Sequence, residues 1–147
     1  MTRRIQPIPA EATRPLRQRI LRPHQHADAL VYPGDDAPTT LHLGVFEEDQ
    51  LVGVLTVSEE SPSETGEAHA WRMRGVAVEK NMQGAGYGGA LLEAAIEYVK
   101  AQGGKFLWCN ARSNVRGYYE RYNFQVRGDE FSLPDIGPHY FMFLNLP

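Results

Sequence analysis

Gly75-Val-Ala-Val-Glu-Lys-Asn-Met-Gln83-Gly-Ala-Gly-Tyr-Gly-Gly89-Ala-Leu-Leu-Glu-Ala-Ala-Ile-Glu-Tyr-Val99 reads as a strand, a glycine turn and an amphipathic helix. Glycines tolerate positive φ and carry no Cβ, so successive backbone N–H groups can converge on one point without a clash. A helix that starts directly after them aims its unsatisfied N–H groups and the positive end of its dipole at that same point. The arrangement suits an anion, above all a phosphate. Leu91, Leu92, Ala95, Ile96 and Val99 recur on one helical face, Glu93, Glu97 and Lys100 fall elsewhere, and Gly103-Gly104 supplies the stop.

The spacing alone leaves the phosphate ligand open. Gly84-x-Gly86-x-x-Gly89 fits the dinucleotide fingerprint, but that motif wants an acidic residue about 20 positions on to hold a ribose. Here the chain reads Gly103-Gly-Lys-Phe-Leu-Trp-Cys-Asn-Ala-Arg112, and no carboxylate appears before Glu120. A Walker loop fails as well, because no Gly-Lys-Ser/Thr closes the turn.

Gln83-Gly-Ala-Gly86-Tyr-Gly88 is similar to the Q/R-x-x-G-x-G/A turn of the GNAT (general N-acetyltransferase) family, which cradles the pyrophosphate of coenzyme A. Downstream, Asn114-Val-Arg-Gly-Tyr-Tyr119-Glu-Arg-Tyr-Asn-Phe124 resembles that family's N-x-x-A-x-x-F-Y-E-x-x-G-F segment, and it follows the expected strand Phe106 to Asn110. Trp108-Cys-Asn-Ala-Arg112 and Gly137-Pro-His-Tyr140 resemble a single-domain bacterial branch of the family. The likeness covers residues 40 to 147 well and the first forty loosely. It departs at Lys80, where the family often has proline, at Arg112, where it often has asparagine, and at Asn123, where it has glycine. The last exchange is mild, since Asn is the next-best residue for a left-handed helix end.

The resemblance implies an α/β (α+β) protein with the GNAT fold. That fold has a central mixed, mostly antiparallel sheet of six to seven strands flanked by about four helices, with strand 4 bulged and splayed from strand 5. It also implies acetyl-CoA as co-substrate and acetyl transfer, in a ternary complex, to an amine of a small molecule or peptide. Gln83, Gly84, Ala85, Gly86, Tyr87, Gly88 and Gly89 would hold the pyrophosphate. Val76, Ala77, Val78 and Asn114 would hold the pantetheine, and Tyr119 would lie at the sulfur. Many members pair as dimers, so a homodimer is an admissible assembly. A non-catalytic acyl-CoA sensor is the rival from another class; it would keep the glycine turn and dispense with acid and base.

At 147 residues the chain is expected to be one domain, 1–147. A hydrophobic content of 42% describes a globular chain, and a mean hydropathy of −0.42 agrees. No run reaches the roughly 20 apolar residues that cross a bilayer, and no signal-peptide core opens the sequence. One cysteine excludes an internal disulfide, so the expected compartment is the cytoplasm. The net charge of −3 argues against nucleic acid as a partner. Arg3, Arg4, Arg14, Arg17, Arg19 and Arg22 load the first 22 residues, which reads as a solvated face ahead of an anion-binding one.

In order, residues 4 to 9 read as an edge strand, Thr13 to Arg22 as a helix with Leu16 and Ile20 inward, and 24 to 40 as loop with a helical turn near Ala27 to Val31. In the family's frame this loop would form part of the acceptor wall. Leu41 to Phe46 and Leu51 to Val57 form a hairpin around Glu47-Glu-Asp-Gln50, and Ser58 to Ala68 is an acidic loop. His69 to Val78 is the fourth strand, with Trp71 and Met73 inward and a bulge or close backbone approach at Gly75. A helix from Asn114 to Tyr122 and strands Gln125 to Leu133 and His139 to Leu146 complete the chain.

Acetyl transfer requires a neutral amine, a donor for the oxyanion and help for the leaving thiolate. Tyr119 is the candidate acid, with Tyr118 as adjacent rival; the backbone N–H of Val76 or Ala77 is the oxyanion donor. For the base, His139 stands first, ahead of His42, Glu67 and His69. Arg72 and Arg74 read as sheet-face salt bridges before acceptor contacts. Cys109 with His139 and Asp135 admits a covalent route, but its apolar strand favours an inert thiol. His24-x-His26 with Asp28 or Asp35 imitates a metal site without a fixed ligand set, so no metal is expected.

Overall fold

The computed structural model describes residues 3–62 and 66–147. Its strands are β1 (Arg3–Pro7), β2 (Leu41–Glu47), β3 (Gln50–Glu59), β4 (Ala70–Val78), β5 (Phe106–Arg112), β6 (Gln125–Leu133) and β7 (Gly137–Asn145). They hydrogen-bond in the order β1-β2-β3-β4-β5-β7-β6. Pairs β1–β2, β2–β3, β5–β7 and β6–β7 are antiparallel and β4–β5 is parallel, which gives the mixed sheet expected. The α-helical segments are α1 (Arg14–Leu16), α2 (Tyr87–Ala101) and α3 (Arg116–Glu120), accompanied by short 3-10 turns. The chain divides into two compact units, Met1–Glu59 with Met73–Tyr98, and Glu60–Arg72 with Val99–Pro147.

In the first unit β1 is the edge strand, paired with β2 from Arg3↔Glu47 to Pro7↔Leu43. The β2–β3 hairpin closes on Glu48-Asp49, with Glu48 at φ 56, so each strand reaches one residue further into the turn than expected. Val52, Val54, Leu55 and Val57 on β3 are all fully buried, because this strand is covered on both faces. The expected helix begins earlier, as a 3-10 turn Ala10–Thr13, passes through α1 and loosens into a π-helix Arg17–Leu21. Pro15 is tolerated there because it stands in the first turn of α1, where its missing N–H has no helical partner to lose. Leu16, with Ile8, Ile20, Leu21 and Leu51 around it, packs on Val54 and Ala77.

In the second unit the parallel ladder joins Ala70, Trp71 and Arg72 of β4 to Phe106, Leu107 and Trp108 of β5, ahead of the Gly75 irregularity. Phe106 stacks on Phe143 at 5.4 Å and Trp108 on Phe141 at 5.3 Å, so alternate residues of β5 and β7 share one aromatic face. Part of the expected acidic loop, Glu64 included, lies outside the described residues. β3 itself extends through Ser58 to Glu59.

Both well-formed helix ends use a left-handed residue. After α2, Gly103 at φ +81 lets its own N–H reach Lys100 O at 3.0 Å and the Gly104 N–H reach Val99 O at 2.8 Å. After α3, Asn123 at φ 71 does the same, with Asn123 N–H on Glu120 O at 3.0 Å and Phe124 N–H on Tyr119 O at 3.2 Å. Asn thus fills the place where the family carries Gly, as expected.

These ends predict opposite signs for two glycine exchanges. Gly104→Ala places a Cβ against Val99 Cγ1 and 2.7 Å from Trp71 Cδ1; overpacking of this kind costs about 1–3 kcal/mol. Asn123→Gly removes the left-handed penalty and leaves stability equal or up to about 1 kcal/mol higher. Calorimetric melting of the two variants checks both.

Candidate active site

In the first unit the strand end and the turn are tied together by Gln83, whose side-chain Nε2 donates to Val78 O at 2.9 Å. Gly84 and Gly86 follow with φ of +82 and +91, values that side chains rarely adopt, and a Cβ at Gly84 would meet nothing within 4 Å. The turn from Gln83 to Gly86 is exposed. The first bond of α2 runs from Ala90 N–H to Gly86 O at 3.0 Å, so the helix begins immediately after the last positive-φ glycine. The N–H groups of the first turn therefore have no helical acceptor of their own. Such a cradle fits a diphosphate, because the donors are main chain, the dipole end is positive and no Cβ crowds the approach. The Tyr87 side chain is engaged elsewhere: the residue is 3% exposed and its hydroxyl donates to Glu47 Oε2 at 2.7 Å. That acceptor raises the phenol above its ordinary value.

Gly75 has φ +63, so the strand does leave regular geometry where the sequence marks it. Its neighbours were not legible. A Cβ there would lie 3.0 Å from Arg17 Nε and 3.1 Å from the Tyr32 ring. Arg17 corrects the expectation of a solvated cationic face, for it is fully buried. Its Nη1 donates to Asp35 Oδ2 at 2.7 Å and Leu30 O at 2.9 Å. Nη2 donates to Asp35 Oδ1 at 3.1 Å and Thr56 Oγ1 at 2.8 Å, and the Tyr32 ring stacks 4.0 Å from the guanidinium carbon. Burial alone would raise the Asp35 carboxyl, but the Arg17 hydrogen bonds, the Tyr32 amide and the charges of Arg17 and His42 outweigh it and hold the group below its ordinary value. Thr56 passes the network on to His42 Nδ1 at 2.8 Å, while His42 Nε2 meets Asp35 O at 2.9 Å. A carbonyl only accepts, so Nε2 carries the proton and Nδ1 accepts from Thr56. With both nitrogens engaged, His42 is a structural residue. Asp35 is committed to Arg17 rather than to the loop histidines, and the described residues hold no cluster of His, Cys, Asp or Glu suited to a metal.

In the second unit Tyr119 lies on α3 with 7% exposure, its ring edge-to-face with Tyr118 at 5.4 Å and tilted on Phe124 at 5.5 Å. Burial, then the neighbouring Cys109 and Tyr118, push its phenol well above 10. Asn114 sits exposed in the 3-10 turn Ser113–Val115 that opens α3. His139 is 3% exposed and pairs with Arg112 across β5 and β7. Its Nδ1 donates to Gly137 O at 2.8 Å, which leaves Nε2 as the basic nitrogen of the neutral ring. Glu67 faces Arg127 at 3.5 Å and Arg72 faces Glu60 at 2.9 Å, so both are committed to ion pairs. Burial pushes the Cys109 thiol up to about 12. It is fully protonated at neutral pH and unsuited to nucleophilic attack.

Comparison with known proteins gives concordant likenesses. The model of the acetyltransferase (GNAT) family matches residues 6–124. An uncharacterized N-acetyltransferase of Bacillus subtilis (strain 168), YitI, is 35% identical over 142 residues, covering 97% of this chain and 95% of its own. An acyl-CoA N-acyltransferase from Pseudomonas aeruginosa shares the fold with a TM-score of 0.71, at 22% identity over 97% of each chain. An aminoglycoside 6'-N-acetyltransferase, solved with coenzyme A, also superposes with a TM-score of 0.71, at 13% identity over 98% of each chain.

The buried pair predicts a pH-linked loss. Asp35→Asn leaves Arg17 buried without its counter-charge, at about 3–5 kcal/mol. Because the folded carboxyl lies below its unfolded value near 3.9, the wild-type advantage is full above about pH 4. It shrinks as the pH falls further, which urea titrations from pH 7 to pH 2.5 will follow. The Cys109 thiol is expected to resist an aromatic disulfide reagent at pH 8 in the native protein and to react promptly in denaturant.

Proposed function

The chain belongs to the acetyltransferase (GNAT) family and is an acetyltransferase by that membership; from this premise we propose that it uses acetyl-CoA and transfers the acetyl group directly to an amine acceptor, a small molecule or a peptide. The observation that carries the coenzyme assignment is the exposed turn Gln83 to Gly86, with positive φ at Gly84 and Gly86, running straight into a helix of 15 residues. We also read residues 1–147 as one catalytic domain, since the family model matches residues of both units.

Acetyl-CoA, when bound, supplies an activated thioester. The residues of the chain divide the remaining work. Gln83, Gly84, Ala85, Gly86, Tyr87, Gly88 and Gly89 offer main-chain donors to the diphosphate, and Val76, Ala77, Val78 and Asn114 pair with the pantetheine. The N–H of Val76 or Ala77 donates to the thioester oxygen as negative charge grows on it. A free alkylamine has a pKa near 10.4 and is mostly protonated at pH 7, so a base is required. His139 Nε2 is the lone-pair nitrogen available for that proton. Tyr119 stays neutral at any physiological pH. Full proton transfer from a phenol above 10 to a thiolate near 8.5 runs uphill by about 2 kcal/mol or more, so Tyr119 acts as a hydrogen-bond donor to the departing sulfur.

Tyr119→Phe is the test. A hydrogen bond to a charged group is worth about 1.5–3 kcal/mol, so kcat on a responsive amine should fall roughly tenfold to hundredfold, with the dissociation constant for CoA within about twofold of wild type. Thiol release across an amine panel supplies the rate and calorimetry the affinity. Coenzyme binding without turnover on any amine would favour a sensor over an enzyme.

A further inference from the structure

The glycine turn has a mechanical problem that its own residues do not solve. The Ala85–Gly86 and Gly86–Tyr87 peptide planes both flank Gly86, which lacks a Cβ, so either plane can rotate and swing its N–H away from an anion. In a planar trans peptide the C=O and N–H point in opposite directions; a carbonyl held on one side fixes the N–H on the other. The Gly86 carbonyl is held by the helix through Ala90 N–H at 3.0 Å. The Ala85 carbonyl is held from β1, where Arg3 Nη2 donates to it at 2.9 Å and Nη1 reaches Gly86 O at 3.3 Å.

Arg3 is itself fixed. Its guanidinium lies 4.4 Å from the centre of the Tyr87 ring, the Tyr87 hydroxyl donates to Glu47 at 2.7 Å, and Glu47 is the ladder partner of Arg3. The ring of contacts closes from edge strand to turn to helix and back through the sheet. We propose that Arg3 is a positioning residue for the diphosphate: it grips the back of the turn and thereby keeps the Gly86 and Tyr87 N–H groups facing the ligand. The inference rests on the coenzyme reading above. It assigns a task to one member of the N-terminal arginine cluster, whose neighbour Arg4 instead stacks on Phe46 and donates to Glu48 O. The fork matters more than the charge, because it grips the Ala85 carbonyl while its second arm reaches Gly86 O, a geometry that a lysine ammonium, a single point, does not reproduce.

The experiment measures binding of CoA, dephospho-CoA and pantetheine by calorimetry to the wild type, Arg3→Ala and Arg3→Lys, with a melting curve for each. Arg3→Ala is expected to bind CoA and dephospho-CoA roughly tenfold more weakly and pantetheine, which has no diphosphate, within about twofold of wild type. Arg3→Lys should stay weak. In the ligand-free protein the Gly86 amide resonance should move in Arg3→Ala. Wild-type protein that releases no heat with CoA would sink the coenzyme reading itself. Wild-type binding with Arg3→Ala unaffected would overturn the role of Arg3 alone. So would full rescue by lysine, equal loss for pantetheine, or a loss confined to CoA, which would place Arg3 at the 3′-phosphate.

Discussion

The buried ion pair of Arg17 and Asp35 is the constraint around which the first unit is arranged. Taking two charges out of water is costly, and a fork that leaves little unsatisfied is the way to offset it. Here both carboxylate oxygens, a main-chain carbonyl, a threonine hydroxyl and an aromatic face share that task. The consequence is positional. Loop residues Leu30, Tyr32 and Asp35 are brought against the helical run 10–21 and against Gly75, where the approach of Arg17 and Tyr32 leaves no room for a side chain. Gly75 thus answers two demands, a left-handed backbone and a crowded neighbour.

The chemistry proposed for this protein relies on fixed main-chain groups more than on reactive side chains. The donors proposed in the turn and at Val76 and Ala77 are backbone, placed by the strand, the left-handed Gly75 and the helix start. Tyr119 and Cys109 lie in the same apolar layer, and burial keeps both protonated. In the proposed reaction the first serves as a neutral donor, while the second is kept out of reaction. His139 differs, because a single carbonyl at Gly137 decides which of its nitrogens carries the proton.

Much of this was readable from the chain alone. Leu91, Leu92, Ala95 and Val99 announced the core face of α2 because burial imposes a period on apolar residues, and all four have at most 1% exposure. Gly103 and Asn123 announced helix ends because few residues accept positive φ. What stayed hidden were pairings between distant polar residues. Arg17 looks like its neighbours Arg14 and Arg19 in sequence; only Asp35, 18 positions on, distinguishes it, and no local pattern links the two. Arg3 and Glu47 were equally opaque, since an edge strand and a hairpin turn both tolerate charge for unrelated reasons. The tautomer of His139 depends on a carbonyl two residues away, which is a matter of backbone path.

The order of strands in the second unit carries one more implication. β7 lies between β5 and β6, although it is the last of the three to be made. On the ribosome, therefore, β6 emerges with no neighbour to pair with, and β5 waits with one edge bare. This half of the sheet cannot be completed beyond the β4–β5 ladder until the stretch ending at Asn145 has cleared the exit tunnel. Docking of the final strand is then an insertion between two waiting edges, and a nascent chain stalled before residue 137 would expose both of them to other chains.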